Sequence, residues 1–264
     1  MIVRRTAAGI SNLIVMALLA LAGLGMGEAH SRTLDEIKSR GTLAMCANPN
    51  ALPYASDNPA TPGFQIELAR AIAQGLGVQL HVDWIFPTYR ANLVNCDVLM
   101  DAFSDPAVHG GKLKLSRPYQ KTGVALALAP GTPMVASFDE LRRDQKIGVM
   151  VNSLASVVLG KKGVRTAPYA FEADMLDEVV AGRLGGCAIS PATVAYYNHL
   201  HPEKQLGLVY AYEREPELGW TVSVGMRKAD DALVGAVNEV LNRLLSDGTV
   251  TRIYAGYGVE HRLP

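Results

Sequence analysis

The stretch Gly63-Phe64-Gln65-Ile66-Glu67-Leu68-Ala69-Arg70-Ala71-Ile72-Ala73-Gln74-Gly75-Leu76-Gly77 runs directly into Val78-Gln79-Leu80-His81-Val82-Asp83-Trp84. Its apolar period changes on the way. Phe64, Ile66, Leu68, Ala69 and Ile72 fall at near-helical spacing, which predicts a helix over 64–75. Gly75 and Gly77 stop it, and the alternation from Val78 to Trp84 is that of a half-buried strand. With the short apolar run Thr42 to Cys46 upstream, the chain opens as strand, loop, helix, strand.

The same alternation recurs outward from this unit. Residues 89–95 read as a short helical link, Asp97 to Met100 as a buried strand, and Leu126 to Ala129 as the end of a longer strand entered through Pro118-Tyr119. Beyond Pro130-Gly131-Thr132-Pro133 the pattern restarts with a helical turn at 138–141. Strands follow at 146–151, 164–167, 187–189, 206–212 and 221–225, and helices at 152–160, 172–182 and 191–200. A closing helix over 230–246 carries the stripe Leu233, Val237, Val240, Leu241 and Leu244. Strands alternating with helices over this length predict an α/β protein with two mainly parallel sheets, each covered by helices. The Pro/Gly cluster at 130–133 and the segment 213–219 mark two crossings. Lobe 1 is then discontinuous, residues 30–128 with 221–264, and lobe 2 is residues 129–220. Two connections make a hinge beside a cleft, and ligands of open α/β sheets sit beyond the carboxyl ends of the strands.

The N-terminus reads differently. Arg4 and Arg5 precede the apolar run Leu13 to Leu24, and Gly27 and Ala29 supply small residues for cleavage after Ala29. Residues 1–29 are therefore expected to be a secretory signal peptide, the run being short for a bilayer that needs about 20 apolar residues. The chain has 264 residues, 49% hydrophobic and 19% charged, with 25 Lys+Arg against 25 Asp+Glu. Basic runs never exceed pairs such as Arg142-Arg143, which excludes the charge footprint of nucleic-acid binding.

Three cysteines, Cys46, Cys96 and Cys187, are too far apart for a CxxC motif, and no HExxH pattern is present, so no metal or cofactor is expected. An oxidising compartment favours a bridge between Cys46 and Cys96. Against it, Cys46 ends one strand while Cys96 precedes a parallel one, an offset of about three residues or 10 Å, where a disulfide tolerates about 7 Å between Cα atoms. A bend beside Cys96 or a late strand start would remove the offset, and the pairing stays open on sequence alone. Cys187, in an apolar strand, is expected to be a buried thiol. No GxSxG, Cys/His signature or phosphate loop appears, and Gly160-Lys161-Lys162-Gly163 lacks the first glycine of a P-loop. The chain is accordingly expected to act without chemistry of its own.

Leu34-Asp35-Glu36-Ile37-Lys38, Gly63-Phe64-Gln65-Ile66-Glu67-Leu68-Ala69, Cys96-Asp97-Val98, Ser116-Arg117-Pro118-Tyr119 and the closing Leu244-Leu245-Ser246-Asp247-Gly248-Thr249 stand in one order. Together they resemble the family 3 extracellular solute-binding proteins. That resemblance implies the two-lobed periplasmic binding protein type 2 fold with a ligand cleft. Cys46-Ala47-Asn48-Pro49-Asn50, Leu52-Pro53-Tyr54, Trp84 with Pro87, and Cys96-Asp97-Val98-Leu99-Met100 are most similar to binding-protein-like components associated with quinoprotein (PQQ-dependent) dehydrogenases. This implies a periplasmic partner, the dehydrogenase or its cytochrome c. The alternatives are a receptor handing a small polar solute to an ABC permease and, since the family includes dehydratases, a periplasmic lyase.

Departures from the family pattern bear on the ligand. Where its amino-acid receptors place an Arg for the α-carboxylate, this chain has His109, and where they place an Asp for the α-ammonium it has Ser190. A neutral imidazole does not reproduce a bidentate guanidinium, so a free α-amino acid is not the expected ligand. Candidate contacts are Asn48 and Asn50 after the first strand, Tyr54, Asp101, Phe103 and Ser104 at the end of the 97–100 strand, and His109. Asn152 and Ser153 stand at a strand-to-helix junction, Ser190 at another, and Trp220 near the second crossing. Asn-Pro-Asn is also turn chemistry, and Asn152-Ser153 is also ordinary helix capping.

Overall fold

The computed structural model describes residues 32–85 and 96–264. The expected signal peptide, Pro87 and the helical link at 89–95 lie outside the described residues. The chain runs α1 (Leu34–Arg40), β1 (Thr42–Ala47), β2 (Asn50–Ala51), β3 (Ala55–Ser56), α2 (Phe64–Gly75), β4 (Gln79–Trp84), β5 (Val98–Phe103), β6 (Leu113–Gly123) and β7 (Ala125–Leu128). It continues β8 (Lys146–Met150), α3 (Leu154–Lys161), β9 (Arg165–Tyr169), α4 (Glu172–Val180), β10 (Gly186–Ile189), α5 (Pro191–Leu200), β11 (Gly207–Val209), β12 (Gly219–Arg227), α6 (Asp231–Ser246) and α7 (Thr249–Ala255). No described helix is long and apolar enough to cross a membrane.

Two five-stranded sheets organise these elements, β4-β1-β5-β12-β6 in lobe 1 and β11-β7-β10-β8-β9 in lobe 2. Each holds two parallel and two antiparallel pairings, so the sheets are evenly mixed rather than mainly parallel. The cause is the hinge: every antiparallel pairing in these two sheets involves β7 or β12, the strands on which the chain enters one lobe and re-enters the other. The first crossing is a single residue, Val124, upstream of the Pro/Gly cluster. Residues 125–128 thus belong to lobe 2, not lobe 1, and the long strand expected through Pro118 to Ala129 is split between sheets.

Close backbone approach explains the position of this crossing. A Cβ at Gly123 would lie 2.4 Å from the Leu218 carbonyl oxygen and 2.6 Å from Tyr212 Cβ, so only glycine lets the two crossing segments meet. Val124 N–H donates to Leu218 O (2.9 Å) and Tyr212 N–H to Val124 O (3.1 Å). The second crossing is built from short 3-10 turns at Ala211–Glu213 and Pro216–Leu218, which cut the strand expected over 206–212 to Gly207–Val209.

Lobe 1 packs α2 and α6 on its sheet. All five residues of the predicted α6 stripe are buried, each contributing about 1.5–3 kcal/mol as aliphatic burial. Asp230 caps α6 by accepting from Leu233 N (2.8 Å). In lobe 2, Leu126, Leu128, Ile147 and Val149 form the core on one sheet face, and Ala127, Cys187 and Ile189 that on the other. Helix α5 reaches across from lobe 2: Ala192 joins the lobe 1 core, and Tyr196 meets Tyr257 at 6.1 Å between ring centroids.

The disulfide question is decided by one buried carboxylate. Asp97 N–H donates to Ala44 O (2.8 Å) while its Oδ2 accepts from Ala44 N (2.7 Å). Arg40 donates to the same oxygen, and Arg32 Nε lies 3.5 Å from Oδ1. This bracket turns the chain at Asp97 and delays the strand to Val98. Cys96 therefore swings back to Cys46, the Cα atoms are 5.5 Å apart, and the two are disulfide-bonded. Cys187 is a buried free thiol.

Candidate functional site

The two lobes wall a cavity of about 430 Å³. Lobe 1 contributes Tyr54, Gln65, Asp101, Phe103, Gln120, Thr122, Trp220 and Val222; lobe 2 contributes Met150, Ser153, Leu154, Ala155, Glu172, Ala188, Ile189 and Ser190. A second cavity of about 360 Å³ lies beside it within lobe 1, lined by Cys46, Ala47, Asn48, Ala51, Ala55, Ile85, Leu99 and Met100. Tyr54, Gln65 and Asp101 border both.

Tyr54 is held by the turn that starts α2. Gly63 has φ +94°, and a Cβ there would meet Tyr54 O at 2.4 Å, so the loop can approach only a glycine. Phe64 N–H donates to Pro53 O (2.9 Å), Gln65 N–H donates to Tyr54 O (3.0 Å), and the Tyr54 and Phe64 rings lie 5.0 Å apart. So held, the Tyr54 hydroxyl reaches across the cleft and hydrogen-bonds Ser190 Oγ. Burial, then the charge of Glu172, raise the Tyr54 pKa, the Ser190 hydrogen bond opposes them, and Asp101 adds to the rise. Both carboxylates therefore bear on this one hydroxyl.

Glu172 opens α4 and braces the start of α5. Its Oε1 accepts from Ser190 N (3.1 Å) and its Oε2 from Thr193 Oγ1 (2.6 Å). Burial still raises its pKa above the ordinary value, against those two hydrogen bonds. Asp101 lies within β5, which runs past Met100 to Phe103. Water reaches it, yet the cleft walls crowd it enough to raise its pKa by desolvation; its own backbone N–H and nearby His109 pull the other way. Phe103 and Trp220, both partly open to solvent, pack against each other with ring centroids 5.3 Å apart and planes inclined at 53°. The described lining of the two cavities contains no Lys, Arg or His.

Six of the eleven sequence candidates therefore line the main cleft: Tyr54, Asp101, Phe103, Ser153, Ser190 and Trp220. Asn48 lines the second cavity, where its Oδ1 accepts from Asn50 N (2.9 Å). Asn50 is exposed outside both, in the turn chemistry expected of Asn-Pro-Asn. Ser104 pairs with Ser223 Oγ at 2.8 Å, off the cleft. His109 ends a 3-10 turn past the strand, its Nε2 2.8 Å from Phe103 O; it is a loop staple and not a lining residue. Asn152 is exposed at φ +57°, and Ser153 caps α3 by accepting from Ser156 N (3.1 Å). Gln65, Gln120, Thr122, Met150 and Glu172 were missed. Of these, Gln65 carried a signal, standing inside the Gly63-Phe64-Gln65 turn that fixes Tyr54. Among the described residues no group of His, Cys, Asp and Glu is arranged to hold a metal ion.

Residues 42–260 match the model of the bacterial extracellular solute-binding proteins, family 3. The chain belongs to that family. Its relatives include proteins named membrane-bound lytic murein transglycosylase F, as in Yersinia pestis, 26% identical over 92% of this chain and 52% of theirs. The chain spans about half the length of these relatives. A probable histidine-binding protein of Neisseria gonorrhoeae is 23% identical over 94% of each chain. Among solved structures, an ancestral cationic amino acid solute binding protein superposes with TM-score 0.73 at 24% identity, covering 85% of this chain and 98% of its own. The two-lobed fold is thus that of the solute-binding proteins. The expectation that the chain stands apart from enzymes is corrected: relatives matching over 92% of this chain are named as enzymes. Nothing in these names points to a quinoprotein dehydrogenase.

Proposed function

We propose that this family 3 protein is a periplasmic receptor that takes a small polar solute into the interlobe cleft and passes it to an ABC permease. The supporting observation is the cavity of about 430 Å³ walled by both lobes, within the size range of small-molecule sites. Partnership with a quinoprotein dehydrogenase or its cytochrome c ranks behind this reading, since it rests on sequence motifs of lobe 1 alone. The relatives' names favour amino-acid-like solutes. Against a free α-amino acid stands the absence of any basic side chain in the described lining, where a carboxylate needs a guanidinium fork or an equivalent donor set.

Thermal denaturation of the purified protein with a solute panel tests the proposal. A true ligand at 100 times its Kd adds about 2.7 kcal/mol and moves the melt clearly, whereas none of the standard amino acids is expected to move it. A panel in which no solute class shifts the melt removes the receptor reading. A second reading, lyase chemistry on the bound solute, is favoured by Glu172, which burial keeps above the ordinary carboxylate range inside the cleft, as general acids are tuned. Solute turnover that Glu172→Gln abolishes while leaving binding intact would favour it.

A further inference from the structure

We infer that the cleft selects an organic ammonium ion that carries no carboxylate, with its charge at Asp101 and Glu172 and its carbon skeleton against the Phe103–Trp220 pair. This rests on the reading of the cleft as a solute site and names the class of solute.

The two formal charges in the described lining are both negative and come from opposite lobes, Asp101 from β5 and Glu172 from α4. Glu172 accepts from Ser190 N beside the Tyr54–Ser190 hydrogen bond, and Asp101 lines the same cavity as all three. Glu172 already accepts one hydrogen bond at each oxygen, from Ser190 N and Thr193 Oγ1, which fixes its orientation and leaves its field as its main contribution. Asp101 differs. Apart from its own backbone N–H, no described residue donates to its carboxylate, which leaves acceptor positions open where the two cavities adjoin.

A ligand carboxylate entering this space would shed its water, meet two like charges and find no cation. An ammonium group meets the reverse: opposite charge, free acceptor sites on Asp101, and the tilted ring pair of Phe103 and Trp220, whose faces attract cations. The aromatic pair also covers hydrocarbon. An amine or quaternary ammonium compound therefore fits on charge and on surface, and a zwitterion fits at one end only.

Matched pairs that differ by a single carboxylate test this on the purified protein: cadaverine against lysine, agmatine against arginine, and choline against betaine, by isothermal titration. In the pair or pairs that bind, the member without a carboxylate is expected to bind at least tenfold more tightly. Asp101→Asn is expected to weaken it tenfold or more, with the melting profile of the free protein showing that the variant is folded. Glu172→Gln serves as the second variant; it removes the charge together with one of the acceptors that hold Ser190 N and Thr193 Oγ1, and it is also expected to weaken amine binding. Tighter binding by the carboxylate-bearing members overturns the inference, as does amine binding unchanged in both variants. If only anions or neutral sugars bind, the receptor reading stands and this inference falls; if no solute of any class binds, both fall.

Discussion

Tyr54 and Ser190 are 136 positions apart, and their hydroxyls form the hydrogen bond that joins the cleft walls. A neutral hydrogen bond contributes about 0.5–1.5 kcal/mol net. Tyr54→Phe and Ser190→Ala are each expected to lower urea stability by about that amount, and the double variant by little more than either, the coupling being the shared bond. Additive losses would mean that the two hydroxyls do not depend on each other. Glu172 yields a pH prediction of unusual sign for a carboxylate. Its pKa in the folded state is raised by burial from an ordinary 4.5, so between those values the folded protein holds a proton that the unfolded chain has lost. Stability then falls as pH rises through that window, and Asp101, also raised by burial, adds the same sign. Melting curves of Glu172→Gln across this range are expected to slope less steeply than those of the parent; parallel slopes would remove Glu172 from the account.

At the scale of elements, the Asp97 bracket and the disulfide it enables tie the start of β5 to the end of β1. The bridge closes a loop of sequence separation 50, which in the chain-entropy model stabilises by about 4 kcal/mol. Replacing Cys46 and Cys96 together by serine is expected to lower urea stability by about 2–4 kcal/mol. A thiol reagent should find no reactive group in the native protein and one in the unfolded, unreduced chain, because Cys187 is buried and burial raises its thiol pKa. Two or three thiols after unfolding would contradict the bridge. Helices were the legible elements: Phe64–Gly75 and Pro191–Leu200 end where the periodicity and the Gly and Pro signals place them, since helical hydrogen bonds are local. The split between β6 and β7 was not legible. Both read as one long strand entered through Pro118-Tyr119, and the turn at Val124 depends on Gly123 meeting Tyr212 and Leu218, far along the chain.

For the whole molecule, the C-terminal tail is fastened along the hinge. Lys121 N–H of β6 donates to Arg262 O (2.8 Å), and His261 Nε2 lies 2.8 Å from Tyr119 O. The Arg262 guanidinium stacks 3.6 Å from the Tyr210 ring centroid and pairs with Glu213 and Glu260. It thereby joins lobe 1 to the segment just after β11. Arg262→Ala removes a stacked, partly exposed cation worth about 1 kcal/mol. Faster amide exchange is expected at residues 210–218, where the second crossing lies, with exchange in α6 unchanged. Equal acceleration in both regions would mark a general loss of stability and no particular role at the hinge.

Order of elements, two lobes, and the motifs of the family follow from local patterns, because apolar periodicity and turn residues act within a few positions of one another. Asp97 read as no more than a strand start, yet it holds the bend that brings the cysteines together. Glu172 read as the first residue of an amphipathic helix, yet it faces a cleft residue 18 positions on. His109 aligned with a ligand anchor in sequence and sits outside the cleft in space. Such roles depend on which distant side chains the fold brings within hydrogen-bond reach and on how far it strips them of water. Periodicity carries neither quantity, and only the tertiary structure decided them.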